Sequence, residues 1–576
     1  MKGSLTHRPA RFSRRGVLQS AGLGTVGAIG LATVGCGDDN EEAPSATATT
    51  STQTSSSPTQ APAETPVAGG RLRMHDQAPI HFDPFTTGSN VTHRARSFTN
   101  DKLITYAYGP DVGRGERRLE AQLAEGWENP DPEGLTWIFK LRKDVKFHNV
   151  DPVNGRAFTS EDARWSFDRG AQQGAFQYGE FRSLIKSITA VDGNTLRVDL
   201  SEPYAPFLQY VASDYSWIVA PESAKDGDFR SDSSMIGTGP FVLKDSQADR
   251  SLTFDKNPDY FVPGRPYVDG VDWTIAVDVT ALASGLLAGT ADITGGAIPR
   301  EERSRYKDAG VVLSDPELGG FNLIYMRADQ KPFDDIRVRR AVALAIDRQG
   351  IIDGLFGGDG EQSSALPPWW PDWWVHPKDL GPASDNFLRY APKEAKDLLS
   401  AAGFSSGLST NYHSTQTAFG VTFNQLLEVT QQQLAAVGIN AKLSLNDYAQ
   451  FTAIVNNTRE AGYDGMAFSP RGFYADISGY LVNMYYPGQS RNYVRVDDAD
   501  LNTLLIAQQR ELNAEKRKSL VVDVQRYLAK NPYYVTMPCE TTVQGFGKRI
   551  GHVANWGGTI GGYDPGHRAA AWWIKA

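Results

Sequence analysis

The sequence predicts an α/β protein, and three observations lead there. Apolar residues recur at period two over short runs and at helical spacing over longer ones, and the two kinds of run alternate along the chain. Hydrophobic residues make up 40% and aromatic residues 11% of the 576, enough to fill several large cores. The first 66 residues follow neither pattern and read as an address, not as fold.

The elements follow in order. Leu135, Trp137, Phe139 and Leu141 share one face of a strand. Thr159-Ser160-Glu161-Asp162 opens a helix with a capping-box-like start that continues through Ala163, Trp165 and Phe167. Ile185–Val191 and Thr195–Leu200 flank Asp192-Gly193-Asn194 and read as a hairpin. Val271–Val277 is a strand, and Thr280–Gly289 is a short helix after it. Val338–Ile352 is a helix with Val338, Val342, Ala345 and Ile346 inward. Lys393–Ala402 is a helix stopped by Gly403, and Val421–Val437 is a longer one ended by Gly438. The strand Asn440–Leu445, two helices near 498–512 and 514–530, and the strand Tyr533–Met537 complete the pattern. No repeat recurs at a fixed period.

In the address, Arg14-Arg15 precedes a weakly apolar, glycine-rich run, Ala21–Gly35, that ends at Cys36. The arginine pair reads as a twin-arginine export signal over residues 1–35, and Cys36 as a lipid-attachment site. Thr33 stands where such sites usually carry Leu. The run is too short and too glycine-rich for a membrane span, which needs about 20 apolar residues. Gly22–Gly27 matches G-x-G-x-x-G but lacks the strand, helix and acidic residue that a dinucleotide site requires. Residues 36–67 are rich in Ser, Thr and Pro. Having almost no apolar side chains, they read as a disordered tether, roughly 30 Å end to end as a coil. An extracytoplasmic protein held on the outer face of the plasma membrane is expected, periplasmic or at the cell surface.

Residues 1–35 hold five basic and no acidic side chains, so their removal takes the net charge from −9 to −14. An acidic body without a basic stripe argues against nucleic acid as partner. The two cysteines are Cys36 and Cys539. With Cys36 lipidated no disulfide forms, and Cys539 reads as a small core residue. His75, His81 and His148 have no ligand spacing, so neither metal nor cofactor is expected. There is no G-x-S-x-G elbow and no H-E-x-x-H, which argues against a secreted hydrolase. A sensor or adhesion module would need a signalling span that residues 36–576 do not show.

Six motifs then arrive in a familiar order: Leu123-Ala124-Glu125-Gly126-Trp127-Glu128, Trp137 to His148, Phe158 to Ala163, Gly237-Thr238-Gly239-Pro240-Phe241, Asn257-Pro258-Asp259-Tyr260-Phe261, and Phe333 to Arg348. Together they resemble the peptide/nickel class (family 5, oligopeptide- and dipeptide-binding) of solute-binding proteins that serve ABC importers. The resemblance runs from about residue 70 to the C-terminus. It implies a two-lobed, type II clamshell like that of the periplasmic binding proteins, with an extra inserted domain. Domain I would comprise residues 68–100, 236–320 and 545–576, domain II 101–235 and domain III 321–544. The implied protein is no enzyme. It is a monomeric receptor that encloses a peptide-like solute and passes it to ABC permease subunits, with an oligosaccharide or other organic solute as the alternative.

The resemblance also nominates a site. Family members that bind peptides carry A-D-Y-x-x-P, whose Asp receives the ligand's α-ammonium; here the stretch is Ala475-Asp476-Ile477-Ser478-Gly479-Tyr480. Asp476 is thus either an ammonium acceptor or a cap for the segment that follows. Pro367-Pro368-Trp369-Trp370-Pro371-Asp372-Trp373-Trp374 is a non-helical loop expected near the cleft. Its four indoles either stack on a solute or plug their own lobe. Arg471, Tyr474, Tyr485, Tyr486 and Arg491 are further candidates, an arginine among them suiting a ligand carboxylate.

Overall fold

The computed structural model describes residues 65–575, apart from 110–111, 113–115, 173–174, 176–181, 225–226, 277–278, 315–316, 416–418, 456–461, 473 and 552–564. The export signal, Cys36 and nearly all of the tether lie outside the described residues.

Three sheets organise the rest. A seven-stranded sheet is centred on Arg71–Asp76, which runs parallel to both Gly270–Ile275 and Ile293–Thr294. Alternation along Arg71–Asp76 buries Leu72 and Met74. Under them Phe98, from the helix Asn90–Thr99, stacks on Phe254 at 4.9 Å. A four-stranded antiparallel sheet takes in Ala124–Glu128, Thr136–Leu141, Ile185–Asp192 and Thr195–Leu200. A five-stranded mixed sheet is built on Asn322–Met326, whose five side chains are all buried because helices or loops cover both faces.

Several expectations hold in detail. The hairpin over 185–200 forms, and Phe139 and Leu141 point into the core. Thr159 caps the helix Ser160–Gly170 in a capping box with Asp162 as the reciprocal partner. Gly403 and Gly438 follow their helices with φ of 94° each, in the left-handed region. One expectation fails. The helix expected over Val338–Ile352 is two helices, Ile336–Leu344 and Arg348–Gly354. The Asp347 carboxylate accepts the Gly350 amide at 2.8 Å, starting a new helix, while its own amide turns to Gln433. Arg348, buried at the break, donates to the carbonyls of Thr536, Ala343, Ile346 and Leu388.

The turn at Gly237–Phe241 needs glycine for closeness. A Cβ on Gly237 or Gly239 would collide with the Thr99 backbone. Buried His148 bridges this turn, accepting the Gly237 amide at Nδ1 and donating from Nε2 to the Gly239 carbonyl. Burial brings its pKa down to about 4, so the ring stays neutral. Among the described residues no three His, Cys, Asp or Glu side chains gather as a metal site, and no helix is long and apolar enough to cross a membrane.

The two ends of the described chain are clasped at Asp292. Arg73 donates to its carboxylate at 2.9 and 3.1 Å, and Arg549 donates to it at 2.7 Å twice. Burial works to raise Asp292, but the hydrogen bonds from Arg549 and Arg73 outweigh it and hold the carboxylate below its ordinary range. A depressed native pKa gives stability that is complete above about pH 4 and is lost as the pH falls through the folded value. We expect Asp292→Ala to cost about 2–3 kcal/mol, below the about 3–5 kcal/mol of a fully buried pair because both guanidiniums are a third exposed. Denaturant melts at pH 7 and pH 3 check this, the difference between variant and parent shrinking at the lower pH.

Cys539 is fully buried, with its sulfur 3.2 Å from the Ser363 hydroxyl, and burial pushes the thiol up to about 12. A Cys36→Ser variant should therefore show no thiol reactive to Ellman's reagent at pH 8 until denaturant is added.

Candidate ligand-binding site

The strand Met466–Pro470 delivers the chain to Arg471, and the helix Ser478–Tyr485 carries it away. Between them Asp476 is buried. Its Oδ1 accepts the Ser478 amide at 2.8 Å, so it caps the helix. The same carboxylate is gripped by Arg517 of the helix Ala514–Lys530, with Nη2 to Oδ1 at 2.5 Å and Nη1 to Oδ2 at 3.1 Å. Both side chains are about 95% buried, and Arg517 also donates to Ser478 Oγ. Such a fork is the geometry in which two buried charges compensate each other.

Tyr474 stands edge-on to Tyr480 with ring centroids 4.7 Å apart. A side chain at Gly479 would strike the Tyr474 ring, which is why glycine follows Ser478. Tyr480 Oη donates to the Gly472 carbonyl at 3.1 Å. Arg491 lies over the Tyr474 ring at 5.1 Å. Arg471 lies against two other rings, themselves stacked 6.2 Å apart, at 4.2 Å from Tyr493 and 4.7 Å from Tyr325. Its Nε and Nη2 are buried and meet no hydrogen-bond partner among the described residues. Burial alone would lower its pKa, but the surrounding tyrosines outweigh that and raise it, so the charge is retained.

The tryptophan loop divides. Trp369 and Trp370 are buried, Trp369 edge-on to Phe321 at 6.1 Å. Trp370 lies under the Arg117 guanidinium at 3.3 Å. Trp373 and Trp374 are half-buried on their own side, Trp373 beneath Arg517 at 5.0 Å and Trp374 against His376 at 5.7 Å. The loop makes turns from Pro367 to Trp374 and no helix, as prolines dictate. Tyr485 is buried edge-on to Tyr534 at 5.3 Å, and Tyr486 is half-buried at the helix end.

Arg117 arrives from the region of the four-stranded sheet. Tyr106 reaches over from the same region and donates from Oη to the Ala475 carbonyl at 2.8 Å. Arg117 Nε is buried without a partner among the described residues, and burial lowers its pKa despite the nearby Tyr106, Tyr480 and Asp476. Farther along the same seam Ala205 donates to the Gln509 carbonyl at 2.9 Å, and Arg510 pairs with Glu202. Around Tyr474 and Tyr480 the structure therefore gathers Arg117, Arg471, Arg491 and Arg517 near the carboxylate of Asp476. Arg117 and Arg517 were not foreseen from sequence. Neither sits in a motif, and each acquires its place from a segment remote in the chain.

Comparison with known proteins places this architecture. The model for "Bacterial extracellular solute-binding proteins, family 5 Middle" matches residues 118–492. The chain is 28% identical over 502 residues to di/tripeptide-binding protein 1 of Pseudomonas aeruginosa, covering 83% of this chain and 90% of that one. Among solved structures it superposes on the periplasmic binding protein DppA from Helicobacter pylori in complex with the peptide STSA, with TM-score 0.72 and 23% identity over 88% of this chain and 99% of that one. The protein AgaA from A. tumefacien R10 in complex with agropinic acid gives the same TM-score, identity and coverage. The mixed α/β body is thus the two-lobed clamshell of the periplasmic binding proteins, and the chain belongs to the bacterial extracellular solute-binding proteins of family 5.

Proposed function

We propose that this chain captures a peptide-like solute outside the cytoplasm, encloses it between its lobes and releases it unaltered to the permease of an ABC importer. It acts as a monomer without catalysis, tethered to the membrane through a lipid on Cys36. The observation that carries the reading is Arg471, a buried cation whose Nε and Nη2 have no partner among the described residues, beside the satisfied Asp476–Arg517 pair. A buried guanidinium with unused donors is costly unless an anion meets it, and a peptide's terminal carboxylate supplies one. Arg117 on the opposing face has the same need at Nε. Asp476 Oδ2 accepts only one of the hydrogen bonds to Arg517, which leaves it capacity for the solute's ammonium. Trp369, Trp370, Tyr474 and Arg491 form the walls, with Trp373 and Trp374 behind them. The di/tripeptide-binding name of the Pseudomonas relative supports the same class. A carboxylate-bearing organic solute that is not a peptide is the second reading, favoured by the surplus of arginine over acid and by the agropinic acid complex of a structural neighbour.

Two measurements test this. Mass spectrometry of solutes that co-purify with the protein should return short peptides; a retained sugar acid or opine would favour the second reading, and no retained solute of any class would sink both. In calorimetric titrations Arg471→Gln should weaken dipeptide binding by about 10–100-fold, the range for a charge-assisted hydrogen bond lost from a buried site. A C-terminally amidated dipeptide should show the same loss against the parent protein and little further loss against the variant. Equal affinity for acid and amide would remove Arg471 from the site. Asp476→Asn should in turn abolish discrimination between a free and an acetylated N-terminus.

A further inference from the structure

A cavity of about 420 Å³ lies where the helix Ser478–Tyr485 faces the region of the four-stranded sheet. On the helix side Ser478, Val482, Asn483 and Tyr486 line it, spaced to share one helical face. Opposite stand Tyr204 and Tyr210, whose rings stack at 6.0 Å. Glu202 and Arg510 pair at its edge.

Asn483 is 3% exposed, yet neither its Oδ1 nor its Nδ2 meets a hydrogen-bond partner among the described residues. A buried amide with both ends unmet is uncommon in a folded chain, and here it lines a space large enough for an amino-acid side chain. The geometry points to a specificity pocket for an uncharged carboxamide, with Asn483 Nδ2 donating to its oxygen and Asn483 Oδ1 accepting from its nitrogen. The inference rests on the peptide reading above and deepens it by naming the solute's side chain. A carboxylate would set an oxygen against Oδ1, an ammonium would leave Nδ2 unmet, and an alkyl group would leave both unmet. The flat tyrosine walls suit a planar group, and the Glu202–Arg510 pair offers no net charge to favour an ion. Closure makes the amide selective. Ala205 and Gln509 join the two walls, so with the lobes parted water can reach Asn483, and shutting them strands it unless the guest supplies both partners.

Titration with Ala-Gln, Ala-Glu and Ala-norleucine tests the assignment. Ala-Gln should bind at least about tenfold tighter than the other two, since a site built to hydrogen-bond rejects analogues that cannot. Asn483→Leu and the volume-conserving Asn483→Asp should each erase that preference, with circular dichroism melts establishing that they fold. Equal binding of the three dipeptides, or an unchanged preference in both variants, overturns the pocket and leaves the peptide reading standing. Should no dipeptide bind, the peptide reading falls and free L-glutamine decides the pocket. A thermal shift with glutamine that norleucine does not give and Asn483→Leu loses supports it; its absence overturns it.

Discussion

The buried pair between Asp476 and Arg517 is the contact on which the proposed binding region depends. It joins the start of the helix Ser478–Tyr485 to the helix Ala514–Lys530, and the first of these carries Tyr480, Asn483 and the glycine that admits Tyr474. Two charges this deeply buried gain stability only when geometry and extra hydrogen bonds offset their desolvation. Both conditions are met, through the two-point fork and through the Ser478 amide and hydroxyl. Removing either partner would leave a buried charge alone, at a cost of about 3–5 kcal/mol. Asp476 is therefore cap, ion-pair partner and proposed ligand acceptor at once.

Set against that satisfied pair, the unmet groups are informative. A folded chain leaves few buried polar atoms without partners, so those that remain need a reason. Arg471 has two aromatic rings against its guanidinium, contacts worth about 0.5–2 kcal/mol each, which hold the side chain in place but do not use its N–H groups. Orientation is thus provided and hydrogen bonding withheld. A site prepared for a carboxylate needs both, because a donor already committed would have to be displaced before it could bind.

Much of the fold was legible because its signals are local. The turn Asp192-Gly193-Asn194, the box at Thr159 and the stops at Gly403 and Gly438 each depend on a few adjacent residues, and all formed where expected. The break at Asp347 was missed because apolar periodicity runs through it unbroken, whereas the competing cap depends on one carboxylate reaching one amide. The Ala475-Asp476 dipeptide and the tryptophan loop meet through Arg517, but sequence did not say who their neighbours were. Arg117 meets Trp370, and Arg517 meets Asp476, only through tertiary packing that no local pattern encodes.

These placements suggest how shutting the lobes and choosing a guest become a single event. The polar contacts across the seam among the described residues include Tyr106 to the Ala475 carbonyl, Ala205 to the Gln509 carbonyl and a half-exposed Arg510–Glu202 pair, beside the stacking of Arg117 on Trp370. A surface ion pair is worth about 0–1 kcal/mol, a neutral hydrogen bond about 0.5–1.5 and a desolvated cation–π contact about 2, so each of these contacts holds the closed form only modestly. In the proposed cycle closure would also desolvate Arg117 and Arg471, which opposes it until an anion arrives. A receptor balanced in this way stays ready to open, and a solute shifts the balance only by as much as it favours the closed state over the open one. The same weakness at the seam lets the lobes part again and the solute leave.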